Sequence, residues 1–507
     1  MSSSGSMIKT FRNGESLPVK DVPEVGLESF LQEIVDLTGS GWRIVAYFGV
    51  PDREGVGLWC ILAGNHAQLG ALRSWAEDQL PSIAATCPEA HLFEREIAEQ
   101  CGLPLDGHPW SKPVRYQHSL RRGHDAWGRT KLDEILPGCG DFYQIEGTET
   151  HEVAVGPVHA GIIEPGHFRF QCHGETVFHL EIALGYQHRG LEQALAGGPH
   201  PATMVQLETV AGDTTIGHAT AYAMIREGLA ASEPPPQAEA VRAIALELER
   251  LANHCGDLGA LAGDVGYLPT MSFCGRIRGD FLNMTAVLCG SRFGRGLVRP
   301  GGTGFGCSPG QTADLLKRLE GLRRDYAGAV ELLWNSPSVL ARFENIGRVS
   351  RADALALGLV GPAARASGIE RDVRHDHPFG LYRTSQASMP TQPGGDVMAR
   401  ALVRWRESLA SMEFVHDRLN SLPGGEVLYA CGKASRQRLA VALVEGWRGE
   451  VCHVAITDAS GKFLRYKVKD PSFHNWSGLA LSLRNEQISD FPLCNKSFNL
   501  SYCGFDL

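Results

Sequence analysis

The chain has 507 residues, of which 43% are hydrophobic and 21% are charged, and its formal net charge is -9. This length predicts more than one domain, and the composition is typical of a folded globular protein rather than of a disordered or fibrous one. The excess of acidic residues argues against DNA or RNA as a partner, because phosphate binding requires clustered lysine and arginine.

The sequence indicates neither a membrane span nor an exported, disulfide-bonded protein. Its longest apolar stretches, such as Arg438 to Val444, are much shorter than the roughly 20 residues that cross a bilayer. No apolar segment follows a basic region at the start of the chain, so we expect cytoplasmic residence. The thirteen cysteines are irregularly spaced and include no Cys-x-x-Cys pair, which predicts reduced core thiols and argues against an iron-sulfur cluster or structural zinc in this chain.

The N-terminal part predicts a small α+β domain. Two apolar runs between Ile44 and Leu62 are separated by a polar turn that contains Pro51 and Gly55, which is the pattern of a β-hairpin. Several Pro and Gly residues between Gly102 and Tyr116 end the regular structure. A polar connector is expected from about Ser119 to Gly147.

The remainder of the chain predicts a helix bundle with small sheets. A hairpin centred on His173-Gly174-Glu175 is followed by long stretches with apolar residues at three- and four-residue steps. These helical stretches are Ala238 to Ala262, Gly310 to Leu333 and Val397 to Leu419. Near the C-terminus two β-type runs flank Asp458-Ala459-Ser460-Gly461 and predict a second hairpin, packed against the bundle.

Seven motifs follow one another in order along the second part of the chain. They are GPVHAGIIEPGHFRF (Gly156 to Phe170), GYQHRGLE (Gly185 to Glu192), ELERLANHCGDLGALAGDVGY (Glu247 to Tyr267), RFGRGLVRPGG (Arg292 to Gly302), GPAARASG (Gly361 to Gly368), VEGWRGE (Val444 to Glu450) and RYKVKDPSFHNW (Arg465 to Trp476). Together they resemble the 49 kDa subunit of respiratory complex I and the large subunit of group 4 [NiFe]-hydrogenases, including that of formate hydrogenlyase. The earlier stretch GLPLDGHPWSKPVRY resembles the end of the complex I 30 kDa subunit.

The resemblance implies an α+β fold in which two subunits are fused. Residues 1–118 would form the domain similar to the 30 kDa subunit, and residues 119–150 a connector. Residues 151–507 would form the domain similar to the 49 kDa subunit and the hydrogenase large subunit, a helix bundle with small β-sheets.

The resemblance also predicts that no nickel-iron centre binds, because the family's four ligand cysteines are absent. The first pair falls on Ala211 and Thr214, and the second on Ser501 and Gly504, with Cys503 one place out of register. None of these four side chains is a soft thiolate of the kind that suits nickel and iron. We therefore expect no metal in this chain.

The complex I branch holds a quinone headgroup in the same place, between a histidine backed by an aspartate and a tyrosine. Asp264 matches the aspartate, His159 and His167 are candidates for the histidine, and the tyrosine position falls on Gly212. By resemblance, His159 or His167 and Asp264 would bind quinone and supply protons. In the alternative interpretation Asp264 caps a helix end and both histidines are hydrogen-bonded loop residues.

Polar side chains replace the thiolates at the expected centre of the site. Asp213 and Thr214 lie near His218, and buried polar groups need partners or water, so we expect a wet cavity. By resemblance Arg448 lies near the active centre and supplies a fixed positive charge. The alternative for Arg448 is a buried ion pair with an aspartate or glutamate.

Three functional hypotheses follow. In the first, the chain is a peripheral-arm subunit of a membrane-bound, complex I-like oxidoreductase complex and takes part in electron transfer coupled to ion translocation. Its expected partners are a small subunit that carries an iron-sulfur cluster and membrane-embedded antiporter-like and quinone-module-like subunits, on the cytoplasmic face of the inner membrane. In the second hypothesis it is a quinone-binding subunit like the fused C/D-type subunit of NADH-quinone oxidoreductase, and in the third it is a redox-inactive scaffold. Fold alone does not decide among them.

Overall fold

The computed structural model describes residues 7–130, 135–136, 140–159 and 163–507. Within these ranges helices alternate with several small sheets, which confirms the predicted α+β class. No helix of the described ranges is both long and apolar enough to cross a bilayer.

A four-stranded antiparallel sheet forms the centre of the N-terminal region. The elements of this region are β1 (Lys9–Phe11), β2 (Ser16–Pro18), α1 (Leu27–Gly39), β3 (Arg43–Pro51), β4 (Val56–Ala63), β5 (Leu69–Ala76), β6 (Leu80–Pro81), α2 (His91–Cys101) and β7 (Leu105–Asp106). Strands β1, β5, β4 and β3 lie side by side in that order, and the β3–β4 pair confirms the predicted hairpin. Both α1 and α2 pack against this sheet, α1 through Phe30, Leu31 and Ile34, which are spaced to share one helix face.

A three-stranded antiparallel sheet follows and leads into three helices. The elements are β8 (Thr150–Val155), β9 (His167–His173), β10 (Thr176–Ala183), α3 (Leu191–Leu195), α4 (Thr203–Leu207) and α5 (Thr215–Ala230). The β9–β10 pair confirms the second predicted hairpin, with Gly174 at a positive φ of 56° in its turn. Thirteen of the sixteen residues of α5 are buried, so this helix lies inside the molecule.

The helix bundle is built around α6, the longest helix of the described residues. Its elements are α6 (Pro236–Asp264), α7 (Leu268–Cys289), β11 (Val298–Arg299), β12 (Gly302–Thr303), α8 (Pro309–Trp334), α9 (Pro337–Phe343), α10 (Arg351–Ala356), α11 (Gly361–Arg365), α12 (Val373–Asp376) and α13 (Val397–Asn420). Helix α6 packs against α7 and α13, and α7 packs against α8. The three predicted long helices are therefore confirmed as α6, α8 and α13. Ser308 and Gln311 form a capping box that begins α8.

The C-terminal region contains a second four-stranded sheet. Its elements are β13 (Arg438–Gly446), β14 (Gly449–Thr457), β15 (Phe463–Lys469), α14 (Ser472–Ser482) and α15 (Phe491–Phe498). The β14–β15 pair confirms the predicted C-terminal hairpin. The fourth strand is β2, which pairs with β13, so residues from the beginning of the chain complete a sheet at its end.

Asn13 anchors this crossing of the N-terminal chain. Its buried side chain donates to the carbonyl oxygens of His377 and Leu443 at 2.8 and 2.9 Å and accepts from the backbone N–H of Leu443 at 2.8 Å. All of its amide groups thus have partners in the C-terminal part, as burial of a polar group requires. The boundaries 1–118, 119–150 and 151–507 stay a prediction, and β2 belongs structurally to the third of these ranges.

Candidate functional site

The candidate site lies where the beginning of α5 meets the turn between β13 and β14. Thr214 is the N-cap residue of α5 and is buried, whereas Asp213 before it is half-buried. Gly212 is exposed, and a Cβ added there would meet no atom within 4 Å. The position where the quinone-binding branch has its tyrosine therefore opens onto free space.

Arg448 occupies the centre of the site from the β13–β14 turn. Its Nη1 and Nη2 donate to Asp213 Oδ1 and Oδ2 at 2.6 and 2.8 Å, and its Nε donates to the carbonyl of Asn499 at 2.6 Å. Its guanidinium also lies 3.9 Å from the centre of the Trp447 ring. Burial lowers the pKa of Arg448, but the Asp213 carboxylate more than offsets this, and the net pKa lies above the ordinary value. Arg448 is thus a permanent positive charge held in a bidentate ion pair. An ion pair with an aspartate is what the alternative interpretation of Arg448 predicted.

His218 points from the first turns of α5 into a row of buried polar side chains. Its Nδ1 lies 3.0 Å from His453 Nε2, and its Nε2 lies 3.3 Å from Asp470 Oδ2. The other ring nitrogen of His453 lies 2.8 Å from the hydroxyl of Tyr466. Asp470 also accepts from the N–H of Ser472 at 2.9 Å. Desolvation raises the pKa of Asp470, but its contacts with His218 and Arg448 outweigh this effect, and the net direction is downward.

The four positions that hold metal in the hydrogenase branch offer no thiolate here. A methyl group, two hydroxyl groups and a hydrogen stand there, from Ala211, Thr214, Ser501 and Gly504. Cys503 is buried, its sulfur lies within 4.8 Å of donor atoms of His218 and Asp470, and burial raises the pKa of its thiol well above the ordinary value. These residues do not fit a nickel-iron centre, which requires four soft ligands.

His159 and His167 are engaged in local structure near β9. His159 Nε2 donates to the carbonyl of Gly166 at 2.9 Å, and His159 is half-buried. His167 Nε2 accepts from Arg169 Nε at 3.2 Å, and its ring packs against Phe142. Burial lowers the pKa of His167, and the charge of Arg169 lowers it further.

Asp264 is exposed at the C-terminal end of α6. Among the residues that the structure describes, neither a hydrogen bond nor an ion pair joins it to His159 or His167. The structure brings together Asp213, Thr214, His218 and Arg448, and the quinone hypothesis for His159, His167 and Asp264 stays a prediction.

Glu249 is a titratable group of the site that sequence reasoning missed. It lies on α6, and its carboxylate accepts the N–H groups of Ile216 and Gly217 at 2.7 and 3.2 Å, in the first turn of α5. Burial raises the pKa of Glu249 to about 8, and the nearby Asp213 carboxylate contributes to the rise. In the sequence, Glu249 stands out only as a charged residue within a stretch of α6 that is otherwise mostly apolar.

His453 and Asp470 were also missed as site residues. Asp470 lies in the family motif that includes Pro471 and Ser472, but a motif does not state which side chain it faces. His453 lies on a buried strand, where a single histidine is usually a hydrogen-bonded residue of the core. Only the packing of α5 against β14 brings His453 and His218 together.

A buried network of charges lies on the inner side of the β13–β14 turn. Arg250 donates to the carbonyl oxygens of Glu445 and Gly446 at 2.8 and 3.1 Å, directly before the turn that carries Arg448. The network consists of ion pairs with almost no exposed surface: Arg250–Glu247, Arg374–Glu247, Arg374–Asp372, Arg365–Glu407 and Arg365–Glu445. His254 Nε2 adds a hydrogen bond to Glu407 at 2.7 Å.

The chain is similar to several known proteins. The family described as respiratory-chain NADH dehydrogenase, 49 Kd subunit, matches residues 264–438. The chain is 30% identical to the carbon monoxide-induced hydrogenase of Rhodospirillum rubrum over 357 residues, which cover 69% of this chain and 97% of that protein. It is 31% identical over 350 residues to a D-type subunit of the NADH-quinone oxidoreductase of Herpetosiphon aurantiacus, covering 68% of this chain and 95% of that protein.

The N-terminal region is included in a further match. Over 437 residues the chain is 29% identical to formate hydrogenlyase subunit 5 of Escherichia coli, which covers 84% of this chain and 76% of that protein. Because this alignment is longer than the other two, it extends the similarity beyond the length shared with the Rhodospirillum and Herpetosiphon proteins.

Proposed function

This chain belongs to the complex I and group 4 hydrogenase family, and on that basis we propose that it is a peripheral-arm subunit of a membrane-bound, complex I-like oxidoreductase complex without a [NiFe] centre. The observation that carries the proposal is the two-pronged ion pair between Arg448 and Asp213 at the positions next to the lost ligands. Because the lost positions offer no thiolate, the donor groups beside this pair are suited to holding an electron-accepting group rather than a soft metal.

The chain's own residues would bind and orient that group. Arg448 would stabilise negative charge as it develops, because a fixed charge in a site of low dielectric constant needs little reorganisation. Asp213 and Thr214 would orient the acceptor through hydrogen bonds, and His218 would hold a proton near it. This assignment of Asp213, Thr214, His218 and Arg448 is part of the proposal.

Partner subunits would supply and remove the electrons. We propose a small subunit with an iron-sulfur cluster as donor and membrane-embedded antiporter-like and quinone-module-like subunits as the coupling machinery, with this chain on the cytoplasmic face of the inner membrane. Leu268, Met271 and Phe273 expose apolar surface at the beginning of α7, which is typical of a chain that contacts other subunits.

The quinone hypothesis is a narrower form of the same function. It requires His159 or His167 to act with Asp264, and both histidines use a ring nitrogen in local hydrogen bonds. The open space at Gly212 could admit a headgroup, but the tyrosine that would orient it is absent. The scaffold hypothesis predicts that no electrons pass through this chain.

Purification of the tagged chain from its membranes tests the proposal. We expect an iron-sulfur subunit and integral membrane subunits to co-purify, with no nickel by elemental analysis and no hydrogen uptake. Stoichiometric nickel in the complex, or a chain that purifies alone, would contradict it.

A matched pair of variants tests the role of Arg448. In the assembled complex, Arg448→Gln should slow reoxidation of the partner's reduced iron-sulfur cluster by roughly 100-fold, the range expected for loss of one fixed electrostatic group. Arg436→Gln, a change at an exposed arginine of the same region, should leave the rate unchanged. Equal rates in both variants would favour the scaffold hypothesis.

A further inference from the structure

Four buried side chains form a continuous row behind the candidate site. Tyr466 on β15, His453 on β14, His218 on α5 and Asp470 after β15 are all fully buried, and successive polar atoms lie 2.8, 3.0 and 3.3 Å apart. His453 lies opposite Val468, so Tyr466 is its diagonal neighbour on the same face of the sheet. The row therefore has a regular backbone origin and continuous hydrogen-bond contact.

Counting protons assigns a direction to the row. Two neutral histidines and one phenol carry three protons, and the row contains three contacts. The arrangement that fills every contact has the Tyr466 hydroxyl donating to His453 Nδ1, His453 Nε2–H donating to His218 Nδ1, and His218 Nε2–H donating to the Asp470 carboxylate. In the reverse arrangement Asp470 would have to be protonated and the Tyr466 hydroxyl would need another acceptor. In this neutral state both histidines are Nε2–H tautomers, and every proton points toward Asp470.

We propose that Tyr466, His453, His218 and Asp470 are a proton-transfer chain that delivers protons from solvent to the candidate site. That the site consumes these protons rests on the proposed function. That the four side chains conduct them does not.

The transfer is balanced at each step. The O–H bond of Tyr466 breaks as the Nδ1–H bond of His453 forms, and the Nε2–H bond of His453 breaks as the Nδ1–H bond of His218 forms. The Nε2–H bond of His218 then breaks as Asp470 becomes a carboxylic acid. The Tyr466 oxygen regains a proton delivered from the side of Tyr222 and Arg226, so one proton enters and one arrives at Asp470. Both histidines are then Nδ1–H tautomers, and they return to the Nε2–H form before the next transfer.

Tyr222 and Arg226 connect the outer end of the row with the surface. The ring centres of Tyr222 and Tyr466 are 6.3 Å apart, and the Arg226 side chain acts on the Tyr222 hydroxyl, whose pKa it lowers against the larger effect of burial. Arg226 lines a surface hollow of about 590 Å³ together with Tyr429 and Cys431. Solvent therefore reaches the residue next to Tyr222.

Asp470 connects the inner end with the site. The charge of Arg448 acts on its carboxylate, and the Cys503 sulfur lies within 4.8 Å of the donor atoms of Asp470 and His218. A proton that arrives at Asp470 is thus delivered beside the Arg448–Asp213 pair, where electron uptake by a bound group would create a need for it.

Hydrogen exchange of the His218 ring proton tests conduction without any electron donor or acceptor. In the full-length chain labelled with ¹⁵N-histidine, NMR should show both His218 and His453 as neutral Nε2–H tautomers. His453→Gln can keep both hydrogen bonds, since its amide can accept from Tyr466 and donate to His218, but it does not readily relay a proton. We expect it to slow exchange of the His218 Nε2–H proton by roughly 100-fold, and Tyr466→Phe to do the same.

Two controls separate conduction from stability. Tyr326→Phe removes the hydroxyl of another fully buried tyrosine, on α8, and should leave the His218 exchange rate unchanged. The ring proton of His254, which contacts Glu407 in the buried charge network, is an internal reference in every sample.

Specific outcomes would overturn the proposal. These are an Nδ1–H tautomer at either histidine, a zinc ion bound through His218, or equal His218 exchange rates in the native chain and His453→Gln. Failure of the proposed function is a separate result, since it appears as nickel content or absence of partner subunits. The exchange test can therefore contradict proton transfer in a complex that does transfer electrons. It can equally support proton transfer in a chain for which the proposed function is wrong.

Discussion

At the site, the replacement of thiolates by polar groups changes which chemistry the residues support. Thr214 donates to Asp213 at 3.2 Å, and Asp213 neutralises Arg448 while remaining partly exposed. Hard oxygen groups bind soft metals poorly, whereas a guanidinium group donates well to anionic or carbonyl-bearing groups. We propose that the resulting site serves charge and proton transfer, and His218 connects it with the buried Asp470 carboxylate.

The Glu249 carboxyl should make stability depend on pH. Its folded-state pKa is about 8 against an ordinary value of 4.5, mainly because of burial. A raised carboxyl pKa gives stability that is fully present below about pH 4.5 and is lost as the pH rises toward 8. Relative to Glu249→Gln, which does not titrate, the native chain should lose up to roughly 4 kcal/mol of unfolding free energy across this window.

Urea unfolding of both proteins at pH 5, 6, 7 and 8 measures this difference. Glu239→Gln would be a poor control because that carboxyl is also partly buried, whereas Glu413→Gln changes an exposed glutamate. A difference between the native chain and Glu249→Gln that stays constant with pH would mean that Glu249 is ionised throughout the range.

Asp264→Asn separates quinone chemistry from the alternatives. If Asp264 acts with His159 or His167, the variant should reduce quinone more slowly by roughly 100-fold, the lower range for loss of a positioned acid or base. Since Asp264 is exposed at the end of α6 and the described contacts do not join it to either histidine, we expect an unchanged rate. Quinone reduction by the assembled complex is the measurement, and a 100-fold loss with intact assembly would restore the quinone site.

Among the secondary-structure elements, α6, α13 and β13 hold the turn of Arg448 in place. Glu407 on α13 accepts from Arg365 Nε at 2.7 Å and lies 2.7 Å from His254 Nε2 on α6. Arg365 in turn contacts Glu445 on β13 at 2.8 Å, just before the turn. Burial and, after it, the charge of Asp372 raise the pKa of Glu445 to about 7. The Glu445 carboxyl of this network therefore titrates near neutrality. Glu407 remains ionised, because its contacts with Arg365 and His254 hold its pKa well below the ordinary value despite its burial.

Glu407→Ala should destabilise the protein by about 3 to 5 kcal/mol, because it leaves the fully buried Arg365 without one of its partners. The measurement is the free energy of unfolding from urea titration. Glu413→Ala removes an exposed carboxylate from the same helix and should change that free energy by less than about 0.5 kcal/mol. Similar losses in both variants would mean that the loss in Glu407→Ala does not come from the network.

The elements that could be predicted from the sequence are those with strong local periodicity. Helices α6, α8 and α13 carry apolar residues at helical spacing, and the β3–β4, β9–β10 and β14–β15 hairpins have clear turn residues. The three-residue strand β2 has no such pattern, and its pairing with β13 depends on contacts more than 400 residues away in sequence, such as that of Asn13 with Leu443.

For the site, motif resemblance pointed to Asp213, Thr214, His218 and Arg448, which the structure brings together. Glu249 and His453 come from α6 and β14, and they reach the site only through packing between distant elements. A local pattern contains no information about such contacts. This is why sequence reasoning selected the histidines near β9, which lie in a family motif, and not His453.

Across the whole molecule, the N-terminal and C-terminal regions share buried ion pairs. Arg43 on β3 contacts Glu450 on β14, and Lys469 on β15 contacts the same glutamate at 2.8 Å. Lys467 on β15 contacts Glu96 on α2 at 2.7 Å and Glu192 at 2.8 Å. All of these side chains are almost fully buried. The two regions that resemble separate subunits are therefore joined by charges that neither could leave unpaired without a large desolvation cost.

This sharing predicts that the chain unfolds as one cooperative unit. Glu450→Gln weakens the pairs to Arg43 in the N-terminal region and to Lys469 in the C-terminal region at once, so it should shift a single calorimetric transition downward by roughly 3 to 5 °C. Glu426→Gln, at an exposed glutamate, should leave the transition in place. The calorimetric and van't Hoff enthalpies should agree in all three proteins, as two-state unfolding requires. Two separate transitions, with only one of them shifted by Glu450→Gln, would instead mean that the fused regions fold independently and that β2 and the shared ion pairs add little to their coupling.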